Sequence, residues 1–135
     1  MRRPKDHQGD DIAAKKGTPI DSVADGTVVF SGKQMGYGNL VVIEHSTDSG
    51  PYLSYYGHQA QPSILKVGQN VQEGQKIGIV GNTGVGTGTH LHLGIQEGSH
   101  ADLFRDKGWI NPSNINIGKY NKLEETPAFK EGKDK

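Results

Sequence analysis

The sequence contains no cysteine, which excludes disulfide bonds and zinc sites built from thiolates. Its 15 basic and 15 acidic residues cancel, so no field of one sign is present to attract nucleic acid or an anionic membrane. Nor does any stretch approach the roughly 18 consecutive apolar residues that a transmembrane helix requires. We therefore expect no nucleic-acid partner and no membrane insertion, and we expect the chain to be a monomer.

Glycine, by contrast, is abundant, with 20 residues in a chain of 135. Short apolar or alternating segments are separated by turn signals, and no long segment has helical periodicity. The segments predicted as strands are 20–24, 27–31, 40–45, 51–56, two pieces of 67–81, and 90–96. Asp25-Gly26 predicts a hairpin turn between the first two, and the glycine spacing predicts another hairpin within 67–81. Short strands of this kind predict an all-β fold, an antiparallel β sandwich or half-barrel with few or no helices.

The length of the chain predicts a single domain. We place this domain at residues 1–118 and interpret residues 119–135, of which nine are charged, as a solvated C-terminal tail. The first six residues are polar and contain no apolar signal-peptide region, and a candidate metal ligand already stands at His7. We therefore expect a domain that is truncated at its N terminus, with any targeting segment absent from this chain.

Two short clusters contain residues suited to binding a metal ion. In His7-Gln8-Gly9-Asp10-Asp11, the glycine lets the backbone turn so that the imidazole of His7 and the carboxylate of Asp11 can converge. In His90-Leu91-His92-Leu93-Gly94-Ile95, strand alternation puts both histidines on one face and the larger apolar residues on the core face. Two imidazoles and one carboxylate suit zinc and leave one position for water. Each cluster alone is a weak signal, but their joint occurrence is a stronger one.

Taken in order, the motifs of this chain resemble those of the lysostaphin-type (LytM-like) zinc metallopeptidases, which are peptidoglycan endopeptidases. The resemblance covers about residues 3–115. The motifs that carry it are His7-Gln8-Gly9-Asp10-Asp11, Gly17-Thr18-Pro19-Ile20, Asp25-Gly26-Thr27-Val28-Val29, Gly36-Tyr37-Gly38-Asn39, Val42-Ile43-Glu44-His45, Tyr55-Tyr56-Gly57-His58, Val80-Gly81-Asn82-Thr83-Gly84, Gly88-Thr89-His90-Leu91-His92-Leu93 and Asn111-Pro112. The resemblance implies a fold of the duplicated hybrid motif type and hydrolysis of peptidoglycan peptide bonds by metal-activated water.

The resemblance also implies a role for each site residue. His7, Asp11 and His92 would hold one zinc ion per chain, and His58 and His90 would be the catalytic histidines. The substrate would be the peptide part of peptidoglycan, met in the extracellular space, the cell envelope or a phage virion. The bond that is cut stays open between a glycine–glycine cross-bridge and a D-alanine to meso-diaminopimelate link, as does a bacterial or phage origin.

Two other functions stay open at this stage. A phosphohistidine carrier domain of the sugar-phosphotransferase type resembles this fold and uses two facing histidines, although it needs no carboxylate ligand. A non-catalytic scaffold relative is the second alternative, although such relatives commonly lose metal residues and all five expected positions are filled here. Nucleotide binding is excluded, because the glycine-rich run 81–88 lacks the Gly-Lys-Ser/Thr ending of a phosphate loop.

Four further residues have predicted roles outside the metal ligands. His45 shares a strand face with apolar neighbours and is predicted to be a structural histidine at a sheet end. His100 lies in a polar loop, where exposure to solvent is expected. Trp109 is predicted to be a packing anchor, and Tyr37 to pack on the sheet or to line the groove.

Overall fold

The computed structural model describes the backbone of residues 10–13, 17–81 and 90–110, and the side chains of residues 17–81 and 91–110. Within these ranges the chain forms nine strands and one 3₁₀ turn, at His100–Asp102. The strands are β1 (Asp10–Ala13), β2 (Pro19–Asp21), β3 (Gly26–Gln34), β4 (Gly38–Thr47), β5 (Gly50–Gln59), β6 (Asn70–Val71), β7 (Lys76–Ile79), β8 (His90–Glu97) and β9 (Trp109–Ile110). The predicted all-β antiparallel architecture is confirmed.

The strands form two sheets in which every pairing is antiparallel. The larger sheet has the order β1-β8-β5-β4-β3-β6, and β9 pairs with the distal part of β8. The smaller sheet consists of β2 and β7. In the described part of the chain, no helix is long and apolar enough to cross a membrane.

The larger of two apolar clusters joins one face of the seven-stranded sheet to the β2–β7 sheet. Its buried members are Ile20, Val23, Val28, Val41, Ile43, Tyr56, Leu65, Val71, Ile77, Val80, Leu91, Leu93 and Ile95. Because these side chains come from both sheets, their removal from water holds the two layers together.

A second cluster lies on the opposite face of the larger sheet. Its buried members are Leu40, Val42, Leu53 and Tyr55, and the residues packed against them include Phe30, Tyr37, Leu103, Phe104 and Trp109. Trp109 packs on Tyr55 with ring centroids 4.9 Å apart, so its predicted role as a packing anchor is confirmed. Tyr55 and Tyr56 are both fully buried but belong to different clusters, as alternation along β5 requires.

Both predicted hairpins are wrong in their strand pairing. β2 pairs with β7 and not with β3, and β6 pairs with β3 and not with β7. The residues of the first expected turn serve other contacts. A Cβ atom on Gly26 would lie 2.5 Å from the carbonyl oxygen of Glu44, and the Asp25 carboxylate accepts the N–H of Glu73 at 2.7 Å. Residues that favour turns indicate where one strand ends and the next begins. Burial of the apolar faces decides which strands pair.

Candidate metal centre

His92 lies at the centre of a row of residues that crosses three strands. Its Cα atom is opposite Asp11 of β1 on one side and opposite Gly57 of β5 on the other. Its neighbours Leu91 and Leu93 are buried in the larger core. His92 is half-buried on the other face, so the alternation predicted for this strand is confirmed at the side chains described.

His58 lies in a β-bulge of β5. Val41 of β4 is opposite Tyr56, and Asn39 is opposite Gln59, so β5 takes three steps where β4 takes two. In a regular strand, residue 58 would face the same side as Tyr56, which is the apolar core. The extra residue changes this direction, which is a common use of bulges beside functional sites.

The backbone of His58 is left-handed, with φ of 59°, and it is held on both sides. Its N–H donates to the carbonyl oxygen of Tyr37 at 2.7 Å, and its own carbonyl accepts the N–H of Gly81 at 3.1 Å. The imidazole, in a residue only 5% exposed, meets that of His92 edge-on with ring centroids 5.9 Å apart. The structure therefore brings together one expected catalytic histidine and one expected zinc ligand.

Tyr37 is a further residue of this neighbourhood. It ends the turn between β3 and β4, where its N–H donates to the carbonyl of Gln34. Its ring stacks on Tyr55 and meets His92 edge-on at a centroid distance of 5.4 Å. Burial, with the nearby Tyr55 as a smaller cause, raises the pKa of Tyr37, so its hydroxyl stays protonated. Its predicted position on the sheet is confirmed, but its contact with both histidines could not be predicted from spacing.

The remaining expected site residues fall wholly or partly outside the described residues. His7 lies outside them, and so do the side chains of Asp11 and His90. Among the side chains that are described, no three of His, Asp or Glu gather around a common point. The ligand set His7, Asp11 and His92 therefore stays a prediction, as does the catalytic role of His90.

The donor type of His92 and its register with Asp11 agree with a zinc site. Zinc takes imidazole nitrogen and carboxylate oxygen together, and His92 is a half-exposed imidazole beside a glycine. Positions directly opposite each other on antiparallel strands are the closest pairs across a sheet. Asp11 occupies such a position relative to His92, so one ion could be shared by the two strands.

The other two described histidines lie apart from this site. His45 is 1% exposed, with Nδ1 2.8 Å from the carbonyl oxygen of Asp25 and Nε2 2.7 Å from Ser54 Oγ. Burial lowers its pKa, against a smaller raising effect of the bond to Asp25. His100 is an exposed side chain whose Nδ1 lies 2.9 Å from Glu44 Oε1. The predictions of a structural His45 and an exposed His100 are confirmed.

The size of surface clefts does not mark the site. A cleft of about 680 Å³ is lined by residues that include Tyr52, Glu97 and Asp102, and one of about 620 Å³ by residues that include Lys33 and Met35. His58 and His92 line neither of them. The converging histidines and the bulge, not cleft volume, identify the candidate centre.

Comparison with known families decides the classification. Residues 5–103 match the sequence profile of Peptidase family M23. The chain belongs to peptidase family M23. Among solved M23-like structures, it is similar to the catalytic domain of lysostaphin from Staphylococcus simulans, at 30% identity and a TM-score of 0.69, covering 80% of this chain and 77% of that one. It is also similar to a zinc-containing peptidase from Vibrio cholerae, at 33% identity and a TM-score of 0.67, covering 83% and 31%.

Relatives of this M23 domain carry two kinds of name. A DD-carboxypeptidase/endopeptidase Mpg from Neisseria meningitidis is 43% identical over 86 residues, which are 64% of this chain and 19% of that protein. The murein hydrolase activator NlpD of Escherichia coli is 43% identical over 91 residues, 67% of this chain and 23% of that protein. The chain thus spans about a fifth of the length of these relatives, and their names point to peptidoglycan.

Proposed function

We propose that this M23 domain is a zinc-dependent endopeptidase that hydrolyses peptide bonds in bacterial peptidoglycan. In this proposal His7, Asp11 and His92 hold the zinc ion, and His58 and His90 are catalytic. The observation that carries it is the bulge in β5, which directs His58 away from the core and towards His92. Bulges that redirect a side chain are common beside functional sites, so this one supports a catalytic role for His58.

Zinc, when bound, would supply a Lewis acid that polarises a carbonyl group and lowers the pKa of water to about 7. The protein residues would supply position and proton transfer. Two backbone hydrogen bonds fix His58, so a ring nitrogen can exchange a proton with a substrate atom without prior rearrangement. Proton transfer by a positioned histidine contributes roughly 10²–10⁴ in rate.

A second candidate function is activation of another peptidoglycan hydrolase. The relative named murein hydrolase activator NlpD, which is 43% identical over 91 residues, supports it. In that role the domain would bind a hydrolase and cut no bond itself. The presence of all five expected residue types in this chain favours the enzyme. The phosphohistidine carrier is not proposed further, because residues 5–103 match a peptidase family.

Replacement of one ligand tests the proposal. We expect His92→Ala to lose stoichiometric zinc and to release fragments from purified peptidoglycan at least about 100-fold more slowly, because an open site needs its three ligands. The matched control is His100→Ala, since this exposed histidine contacts Glu44 and not the site. Zinc is measured by elemental analysis, and the released fragments by mass spectrometry on peptidoglycan with glycine bridges and with direct diaminopimelate links.

Two results would contradict the proposal. Stoichiometric zinc in folded His92→Ala would refute the ligand assignment. Wild-type protein that cuts neither peptidoglycan alone, yet accelerates an added hydrolase, would establish the activator function instead.

Three wider expectations belong to the same proposal. Residues 1–118 would form the catalytic domain and residues 119–135 a charged tail. The domain would act as a monomer. Its place of action would be outside the cell membrane, in the envelope or the extracellular space or on a phage particle, because that is where its substrate lies.

A further inference from the structure

We propose that Tyr37 is a positioning residue for both histidines, fixing His58 through its backbone carbonyl and His92 through its aromatic ring. Its importance for catalysis rests on the proposed function, but the contacts themselves do not. Tyr37 comes from the turn between β3 and β4, so one segment would align groups that stand on β5 and β8. The proposal assigns it no contact with substrate.

The carbonyl contact fixes the backbone of His58. A left-handed conformation is unfavourable for a residue with a Cβ atom and persists only where neighbouring groups hold it. At 2.7 Å, the bond from the His58 N–H to the Tyr37 carbonyl is among the shortest backbone bonds of the described loops. The turn is itself closed by the bond from Tyr37 N–H to Gln34, so the accepting carbonyl is anchored.

The ring of Tyr37 contacts the imidazole of His92. The two rings meet at an interplanar angle of 70°, close to the edge-to-face arrangement that aromatic pairs prefer. This approach is easiest beside Gly57, because a Cβ atom there would lie 3.2 Å from Tyr37 Cδ1 and would displace the ring by a few tenths of an ångström. Gly57 thus provides space for the ring of Tyr37 next to the imidazole that it would orient.

Two aromatic residues support the ring of Tyr37 from behind. It stacks on the buried Tyr55 at 5.8 Å, and Phe104 lies at 6.2 Å. Phe104 has a left-handed backbone, with φ of 64°, and its N–H donates to the Tyr55 hydroxyl at 3.1 Å. Held on this side, the ring of Tyr37 has little freedom to move away from His92.

The experiment removes the ring and keeps the carbonyl, using Tyr37→Leu and Tyr37→Phe in the full chain. The first readout is the set of imidazole NMR signals in zinc-free protein, which needs neither metal nor activity. We expect Tyr37→Leu to shift the signals of His58 and His92, to weaken zinc binding about 10–100-fold and to lower kcat by a similar factor, with KM nearly unchanged. Tyr37→Phe keeps the ring and should restore all of these to within about threefold.

The matched control is Tyr52→Leu. Tyr52 also stacks on a histidine, His45, with ring centroids 4.6 Å apart, but on the opposite face of the sheet. It should shift the His45 signal alone and leave zinc binding and kcat unchanged. If Tyr37→Leu does not fold, Tyr37→Met, which also lacks the ring, takes its place with the same readouts.

Unchanged His58 and His92 signals in a folded variant without the Tyr37 ring would overturn the proposal. So would a loss of activity that only follows the loss of folded protein and is equal in the Tyr52 control. If wild-type protein binds no zinc and cuts nothing, the proposed function fails, while the NMR signals still decide whether Tyr37 positions the histidines.

Discussion

His58 has a backbone conformation that residues with a side chain rarely adopt. A left-handed residue of this kind costs roughly 1–2 kcal/mol. The hydrogen bonds to Tyr37 and from Gly81 offset that cost, and among the described non-glycine residues only Phe104 shares the conformation. Both residues contact the aromatic and imidazole rings on one face of the sheet. Unfavourable backbone geometry is therefore concentrated beside the candidate centre, as it is at many functional sites.

Gly57→Ala tests how closely the groups at this centre are packed. The new Cβ atom would lie 3.2 Å from Tyr37 Cδ1 and 3.3 Å from its carbonyl oxygen, so Tyr37 must retreat. We expect a loss of about 1–2 kcal/mol in unfolding free energy, measured in urea. The cleavage rate per folded molecule should fall about tenfold or more, because loss of a group that supports a metal ligand lowers activity by about that factor.

Gly26→Ala is the control for this substitution. Its Cβ atom would lie 2.5 Å from the backbone oxygen of Glu44, which cannot move aside easily. It should cost more stability, roughly 3 kcal/mol, yet leave the rate per folded molecule unchanged, because the new atom would meet Glu44, Ile43 and His45 and neither His58 nor His92. A Gly57→Ala variant with the wild-type rate would show that this packing is irrelevant to the reaction.

At the scale of single residues, the sequence predicted which face a side chain takes where the strand alternates regularly. It could not do so where a bulge breaks the alternation. Alternation along β8 correctly placed Leu91 and Leu93 in the core and His92 on the other face. The same rule would have turned His58 into the core, and its role was implied by family resemblance alone. A bulge depends on the hydrogen bonds of a neighbouring strand, which spacing within one strand cannot reveal.

At the scale of structural elements, segment 98–108 is anchored by one buried side chain, Gln96. Gln96 of β8 is fully buried, and the two protons of its Nε2 are shared among the carbonyl oxygens of Asp102, Arg105 and Lys107, at 2.9, 3.2 and 3.0 Å. The Tyr55 hydroxyl donates to its Oε1. One amide thus anchors the segment that carries Phe104, which in turn packs against Tyr37.

Gln96→Met tests this anchoring with little change in side-chain volume. It leaves three carbonyls and one hydroxyl without their buried partner, and each such group costs about 1–3 kcal/mol unless water reaches it. Because the segment can open to water, we expect a total loss of roughly 3 kcal/mol, measured by urea unfolding. The control Gln69→Met removes an exposed amide that accepts from Lys66 and should change stability by less than about 0.5 kcal/mol. Equal effects of the two substitutions would contradict the anchoring role.

Most strands were predictable from the sequence, with β1 and β9 as the exceptions, but which strands pair was not. The predicted segments 40–45, 51–56 and 90–96 lie within β4, β5 and β8. The hairpins expected at Asp25-Gly26 and within 67–81 do not form, because β2 and β7 pair with each other across more than 50 residues of sequence. Turn propensity is local, whereas the pairing of β2 with β7 is set by the apolar surface that both strands contribute to one core.

Considered as a whole, the larger sheet has two unlike faces. One face is closed by the β2–β7 sheet over aliphatic side chains, and the other carries the aromatic cluster and the candidate centre. His45 belongs to the closed face, where its imidazole bonds to Ser54 and to the backbone of Asp25. A titratable ring in this position makes the stability of the entire fold depend on pH.

We expect stability to fall under mildly acidic conditions because of His45. Burial lowers its pKa in the folded state below the unfolded value of about 6.5, so the unfolded chain takes up a proton more readily. The stabilising contribution is therefore complete above about pH 6.5 and is lost as the pH falls from there through the lower, folded-state pKa. Urea unfolding at several values between about pH 7.5 and 5 measures the slope.

His45→Gln is the comparison for this prediction. It should be less stable at neutral pH, because a buried ring and its contacts are lost, but its stability should depend less on pH over the same range. A variant with the wild-type slope would assign the acid sensitivity to other groups.

For the molecule as a whole, composition and turn spacing were enough to predict the fold class, and the ordered motifs were enough to predict the family. The order of strands in the sheet was beyond reach, since it places β8 between β1 and β5, which are distant in sequence. That order makes His92 the neighbour of both Asp11 and Gly57.

The bulge in β5 has a consequence for the length of that strand. Gly57 and His58 together occupy the place that a single residue would fill opposite β4. Deletion of Gly57 would leave a regular strand in which Gln59 still faces inward, so the sheet could accept a shorter β5. It would instead push the imidazole into the clearance that Tyr37 now uses beside His92. The extra residue lets β5 place an imidazole beside His92 and still return to its register with β4.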